Sequence, residues 1–177
     1  YGLPDNRIPV VFNGIDLSRC IVKESYARKD TFTVLHIGRF MDVKNHELLL
    51  RSFARFKEHH SDARLQLLGD GELKENMMQL AGQLNITDAV EFAGLQSNVY
   101  PWLHNADVFV LPSKFEGMPM TLIEAMGTGL PIIASDVGGI PDMLMDQKDA
   151  LLIAPKEENI LVALESIYSD EEKRKRL

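Results

Sequence analysis

Two glutamates, Glu116 and Glu124, stand with seven residues between them, and short apolar runs at residues 108–111 and 131–134 bracket the pair. Glu116 lies in Phe115-Glu116-Gly117-Met118-Pro119, too rich in glycine and proline to be helical, whereas Glu124 follows in a helical pattern beside Leu122, Ile123 and Ala125. An ionised carboxylate accepts hydrogen bonds and so suits the hydroxyls of a polar ligand. Earlier in the chain, Arg39 and Lys44 flank a loop that opens on Gly38 and runs into a helix start near Asn45. Glycine lets backbone approach a ligand, two cations neutralise phosphate oxygens, and the amides of a helix start donate to them. Carboxylates repel phosphates at contact, so Glu116 and Glu124 are expected at the hydroxylated ends of the ligand. A nucleoside diphosphate joined to a sugar fits these requirements.

Short apolar runs predict strands at 32–37, 64–68, 90–92, 108–111, 132–134 and 150–153. Between them, amphipathic patterns predict a helix capped by Asn45, then helices at 72–84, 98–104, 120–126 and 158–168, with another short one opened by Pro141. His36, inside the first strand, reads as a satisfied core histidine, and Val99, Trp102 and Leu103 read as core. Strands alternating with helices imply an α/β domain, a doubly wound Rossmann-like parallel sheet of six strands with helices on both faces. Two mononucleotide-binding halves give the order 3-2-1-4-5-6, in which strands one and four are neighbours at the switch point. The loop of Arg39 and Lys44 and the loop of Glu116 then face one crevice. Residues 1–30 form a lead-in or interlobe linker, 31–169 the domain, and 170–177 a charged segment that starts a further helix. Within the lead-in, Val10-Val11-Phe12 is followed by Asn13-Gly14, a linker turn more than a hairpin, because 15–19 does not alternate as a partner strand would.

The composition narrows the classes. At 177 residues with 45% apolar content, the chain supports one buried core of ordinary size. A formal net charge of −7 argues against adhesion to nucleic acid or membranes by charge. The single cysteine, Cys20, provides neither an internal disulfide nor a multi-cysteine metal site and suits a reducing cytoplasm. His46, His59, His60 and His104 show no metal-ligand spacing. Neither GxGxxG nor GxxxxGK[ST] occurs, which counts against a dinucleotide dehydrogenase and a P-loop nucleotidase. Gly69-Asp70-Gly71 reads as a turn or as a phosphate or ribose edge, and Gly138-Gly139 as a tight turn or a backbone anion nest.

Several of these segments, in this order, resemble one known family. Asn13-Gly14-Ile15-Asp16, Gly38-Arg39 with Lys44, Gly69-Asp70-Gly71, Phe115-Glu116-Gly117-Met118-Pro119 followed by Glu124, and residues 134–141 are similar to the C-terminal, donor-binding lobe of a GT-B-fold retaining glycosyltransferase of family 4, the glycosyl transferases group 1. Asp142 stands where that family more often has glutamate. The resemblance implies that Arg39 and Lys44 bind the donor diphosphate and stabilise the leaving group in place of a metal, so no metal or other cofactor is expected. It implies that Glu116 contacts the transferred sugar and Glu124 the ribose hydroxyls. The amides of Gly117, Met118, Met120 and Thr121 lie near sugar or phosphate, Gly38 and Gly69 belong to the donor-binding loops, and Gly94-Leu95-Gln96 lies against the base.

The implied partners are a nucleoside diphosphate sugar, an N-terminal acceptor lobe of the same chain and a glycan or lipid-linked acceptor. No nucleic acid is implied, membrane contact comes only through the other lobe, and the location is cytoplasmic or at the cytoplasmic membrane face. With no second α/β pattern, the lobe is expected to bind donor but not to complete transfer alone. Two other readings remain: a non-enzymatic nucleotide-sugar sensor, and a GT-B sugar-nucleotide 2-epimerase, whose catalytic carboxylates and histidines are not found.

Overall fold

Strands apolar on both faces need cover on both, and the computed structural model supplies it. It describes residues 13–27 and 29–177; the run Val10-Val11-Phe12 lies outside them. Six parallel strands, β1 (Phe32–Ile37), β2 (Ala63–Leu68), β3 (Val90–Gly94), β4 (Val108–Leu111), β5 (Ile132–Ser135) and β6 (Leu151–Ile153), form one sheet in the order β3-β2-β1-β4-β5-β6. This is the expected order, with β1 beside β4 at the switch point. The helices are α1 (His46–His59), α2 (Lys74–Gln83), α3 (Tyr100–Asn105), α4 (Met120–Gly127), α5 (Glu157–Ser169) and α6 (Glu171–Arg176).

Side-chain alternation divides the core into two layers. Val34, Val108, Val110 and Ile133 pack with α1, α2 and α5 on one face, while Leu35, Ile37, Phe109 and Leu111 pack with α3 and α4 on the other. Burying one such side chain is worth roughly 1.5–3 kcal/mol. The two layers therefore fix the strand ends, and the loops that carry polar side chains start from rigid points. Leu103 is core as expected, whereas Val99 and Trp102 are only partly buried.

The lead-in has no hairpin partner between residues 13 and 27 and instead runs along the lobe. Asn13 Nδ2 donates to the Met118 carbonyl, Tyr26 Oη to that of Gly129, and the buried Lys23 ammonium to those of His104 and Ala106. Arg174 of α6 is buried and donates to the Tyr26 carbonyl at 2.9 Å. Lead-in and charged tail are thus tied to each other across the end of the sheet.

Two helix-start expectations fail. Asn45 does not cap α1: its backbone is left-handed (φ 57°) and its side chain makes no cap bond. Its Nδ2 instead donates to the Pro112 carbonyl at 3.1 Å, because the loop after β4 lies within reach. Pro141 opens no helix. Met143 and Leu144 amides donate back to the Ile140 carbonyl, and the segment remains turns as far as β6.

Candidate functional site

The loops after β1 and β4 meet at the carboxyl ends of their strands. Lys44 Nζ lies 2.6 Å from Glu116 Oε1, the Lys114 amide donates to the Val43 carbonyl at 2.8 Å, and Lys114 Nζ reaches Asp42 Oδ1 at 2.6 Å. With the Asn45–Pro112 bond, these contacts close the switch point into one corner. One expectation changes here. Sequence alone sets Glu116 at a hydroxylated end of the ligand, out of contact with phosphate, and the structure ion-pairs it with one of the phosphate-loop cations. Its charge is compensated before any ligand arrives, which removes the repulsion that argued for separation.

Glu116 is held from several sides. It is buried, and the hydroxyl of Ser113, itself fully buried, donates to its Oε1 at 2.6 Å. Its main chain is gripped by the Gly138-Gly139 turn, where the Gly139 amide donates to the Glu116 carbonyl at 3.0 Å. A side chain at Gly138, whose φ is 57°, would place its Cβ 1.9 Å from that oxygen. The double glycine is therefore a tight turn pressed against Glu116 and Gly117.

Behind the corner lie two histidines. Even-numbered β1 residues face α1, so His36 meets His46 there, with ring centroids 4.6 Å apart and edge to face. His36 Nδ1 bonds the Val110 carbonyl at 2.8 Å and His46 stacks on Phe40 at 4.1 Å. Each Nε2 is buried without a partner among the described residues, so His36 is a core histidine only half satisfied there. Burial pushes His36 down to about 4 and His46 to about 2, with Lys44 adding to both shifts. Both remain neutral in the fold while the unfolded chain gains protons below about pH 6.5. This stabilising contribution is thus complete above that pH and is lost progressively as the pH falls toward 4; urea midpoints at pH 7 and pH 5 measure it.

Beside the corner, over β1, β2 and β3, opens a cleft of about 480 Å³ lined by Gly38, Arg39, Gly69, Asp70, Leu95 and Val99 among others. This volume suits a small organic ligand. Gly69 has φ 135°, and a Cβ there would lie 2.1 Å from the Gly38 carbonyl oxygen, so only glycine lets the two loops approach. The Gly69 amide donates to the Gly94 carbonyl at 2.8 Å, which links the third loop to the first two. Arg39 is exposed and has no ion-pair partner among the described residues; Leu95 is 78% exposed.

Glu124 belongs to a third cluster. Partial burial raises its carboxyl above the ordinary range, and Arg19 from the lead-in pulls it back. Arg19 lies 5.1 Å from the ring centroid of Tyr100, whose hydroxyl is raised by desolvation and then by Glu124. Glu124 is thus grouped with Arg19 and Tyr100 and makes no hydrogen bond or ion pair with the Lys44–Glu116 corner among the described residues. Gly117 and Met118 lie next to Glu116, while Met120 and Thr121 begin α4 after Pro119. Sequence reasoning missed Ser113 and the hold of Gly138-Gly139; a serine three residues before a loop glutamate at a strand end was the available signal for the first.

A doubly wound lobe with a lysine–glutamate corner and a glycine-lined cleft beyond the strand ends defines a nucleotide-binding α/β class. The chain belongs to the glycosyl transferases group 1 family, whose model matches residues 20–177. It is similar to N-acetylgalactosamine-N,N'-diacetylbacillosaminyl-diphospho-undecaprenol 4-alpha-N-acetylgalactosaminyltransferase of Campylobacter jejuni, at 31% identity over 179 residues, covering 99% of this chain and 48% of that protein. It is 34% identical over 148 residues to N-acetyl-alpha-D-glucosaminyl L-malate synthase of Bacillus anthracis, covering 80% of this chain and 39% of the other. The chain thus spans half or less of the length of these relatives.

Among solved structures, the C-terminal domain of a glycosyl transferase group 1 family protein (LpcC) from Francisella tularensis superposes with TM-score 0.81 at 20% identity, covering 92% of each chain. Anabaena Alr3699/HepE, solved in complex with UDP-glucose, gives 0.86 at 19% identity over 99% of this chain and 51% of that one. The fold is that of the C-terminal lobe of GT-B glycosyltransferases. Among the described residues no helix is long and apolar enough to cross a membrane, and no group of three or more His, Cys, Asp or Glu is placed to hold a metal ion.

Proposed function

We propose that this chain is the donor-binding lobe of a retaining glycosyltransferase of family 4, which transfers a hexosyl group from a nucleoside diphosphate sugar to a glycan or lipid-linked acceptor. The observation that supports the reading is the Lys44–Glu116 pair at 2.6 Å at the switch point, a cation suited to phosphate beside a carboxylate suited to hydroxyls. A diphosphate joined to a sugar presents phosphate oxygens and ring hydroxyls only a few bonds apart, so it calls for both kinds of group close together. Lys44 keeps further N–H groups for phosphate oxygens, and Arg39 reaches the same anion from the cleft. Together they stabilise the charge that develops on the leaving diphosphate, without a metal ion. Glu116 accepts from hydroxyls of the transferred sugar, with the amides of Gly117, Met118, Met120 and Thr121 nearby. Glu124 accepts from the ribose, and the base lies in the cleft against Gly94 and Leu95.

Relatives named for a diphospho-undecaprenol acceptor, for Vi polysaccharide and for lipopolysaccharide core support a role in polysaccharide or glycoconjugate biosynthesis, which we place at the cytoplasmic face of a membrane. The acceptor site belongs to an N-terminal lobe, so this chain alone binds donor without turnover. The test is a thermal-shift panel of UDP, GDP and ADP with their hexosyl derivatives, followed by a transfer assay on the same sample. A ligand at about 100 times its Kd adds roughly 2.7 kcal/mol and raises Tm accordingly. No shift with any member of the panel rejects donor binding, and full transfer by the chain alone rejects the need for a second lobe. Donor-induced thermal shifts unchanged in EDTA support the metal-free reading.

A further inference from the structure

Resting on the reading of Glu116 as the sugar-binding carboxylate, the geometry points to Ser113 as the positioning residue that keeps Glu116 aimed at the sugar while Lys44 engages the diphosphate. Both donors on Glu116 use the same oxygen: Lys44 Nζ and Ser113 Oγ each lie 2.6 Å from Oε1. A carboxylate has about four lone-pair sites over its two oxygens. Oε1 is thereby filled, and Oε2 has no hydrogen bond among the described residues. The Glu116 side chain keeps 9% of its surface exposed, and with Oε1 covered by its two donors Oε2 is the oxygen left for a ligand. The free oxygen is the one that meets the ligand.

The two holds on Oε1 differ in rigidity. Lys44 reaches it on a long, flexible stem whose side chain is 19% exposed, and a diphosphate competes for the same ammonium. Ser113 is fully buried and pinned on both sides, by Asn45 on the Pro112 carbonyl at 3.1 Å and by the Val43 carbonyl on the Lys114 amide at 2.8 Å. A hydroxyl on so short a side chain cannot follow the ligand. When Lys44 turns to phosphate, the Ser113 bond is the side-chain contact that keeps the carboxylate plane, and hence Oε2, in place. Ser113 does not touch the ligand.

The test is calorimetry on the 177-residue chain with three probe pairs, UDP and UDP-glucose, GDP and GDP-mannose, ADP and ADP-glucose, using whichever pair binds. Ser113→Ala is expected to weaken the sugar nucleotide by about tenfold, the scale of one hydrogen bond to a charged group, and to leave the plain diphosphate within about twofold. Ser113→Cys, with similar volume and a weaker donor, should fall between. Glu116→Gln should lose the same selectivity, and adding Ser113→Ala to it should cost nothing more. Equal weakening of both probes by Ser113→Ala would mean a structural role only and would overturn the proposal. Selectivity lost in Glu116→Gln but kept in Ser113→Ala also overturns it, leaving the reading of Glu116 intact. Selectivity unchanged in Glu116→Gln, or no binding by any pair, rejects that reading and the proposal with it.

Discussion

Glu116 and Glu124 come from one sequence motif but occupy opposite kinds of surroundings. Glu116 is buried with its donors already in place: an ammonium, a hydroxyl and, on its main chain, the Gly139 amide. Glu124 is half-buried, has no hydrogen-bond donor among the described residues, and its carboxyl is raised by desolvation. One acid is prepared by the fold; the other waits for its ligand. Preorganised donors cost nothing at the moment of binding, whereas an under-solvated carboxylate gains most from the hydroxyls that finally reach it. On the proposed assignment of the two glutamates, the contrast gives fixed geometry to the sugar end of the site and adaptability to the ribose end.

Breaking the prepared side should have the largest effect. Gly138→Ala forces a Cβ to 1.9 Å from the Glu116 carbonyl oxygen at a left-handed position, and should cost roughly 3 kcal/mol of stability and abolish sugar-nucleotide binding, read by urea titration and calorimetry. Lys44→Ala should weaken diphosphate binding by roughly 1 to 3 kcal/mol. It also strips a buried carboxylate of its counter-charge, so Tm should fall and partly recover when Glu116→Gln is added. Arg39→Ala should weaken the diphosphate by about 1 kcal/mol and leave Tm unchanged, since this exposed side chain holds nothing in the free protein.

The adaptable side gives the smallest and most unusual effect. A carboxyl raised in the fold is protonated more readily there than in the unfolded chain, so its ionisation costs stability as the pH rises through that range. Glu124→Gln should therefore raise Tm at neutral pH by on the order of 1 °C while weakening nucleotide binding. A loss of Tm in that variant would show that Glu124 is as well satisfied as Glu116 and would erase the contrast.

Much of this was legible in the chain itself. Runs such as 108–111 have no polar residue to spoil two-sided burial, and their alternation with helical patterns fixes the parallel sheet and its switch point. That Arg39, Lys44 and Glu116 share a neighbourhood followed from strand order. Their mutual contact did not, because Lys44 and Glu116 are 72 residues apart and sequence pattern carries no distance across a crevice. Asn45 shows the same limit: its type and place are those of a helix cap, and a carbonyl 67 residues away took its side chain instead. Ser113 escapes sequence reading because a hydroxyl gives no local sign of the acceptor it will find. Gly138-Gly139 was legible as a turn; what the turn presses on was not.

The Lys44–Glu116 pair has a kinetic consequence. A protein of net charge −7 offers little long-range attraction to a dianion, and the pair cancels one of the two cations that could have supplied it locally. Among the described residues, Arg39 is the cation of the loop after β1 that lines the cleft without an ion-pair partner. Capture of a nucleotide sugar is then governed by collision and fit, not by steering, and its association rate should rise modestly as salt screens the net repulsion. Differences in affinity among donors are written in how long each one stays.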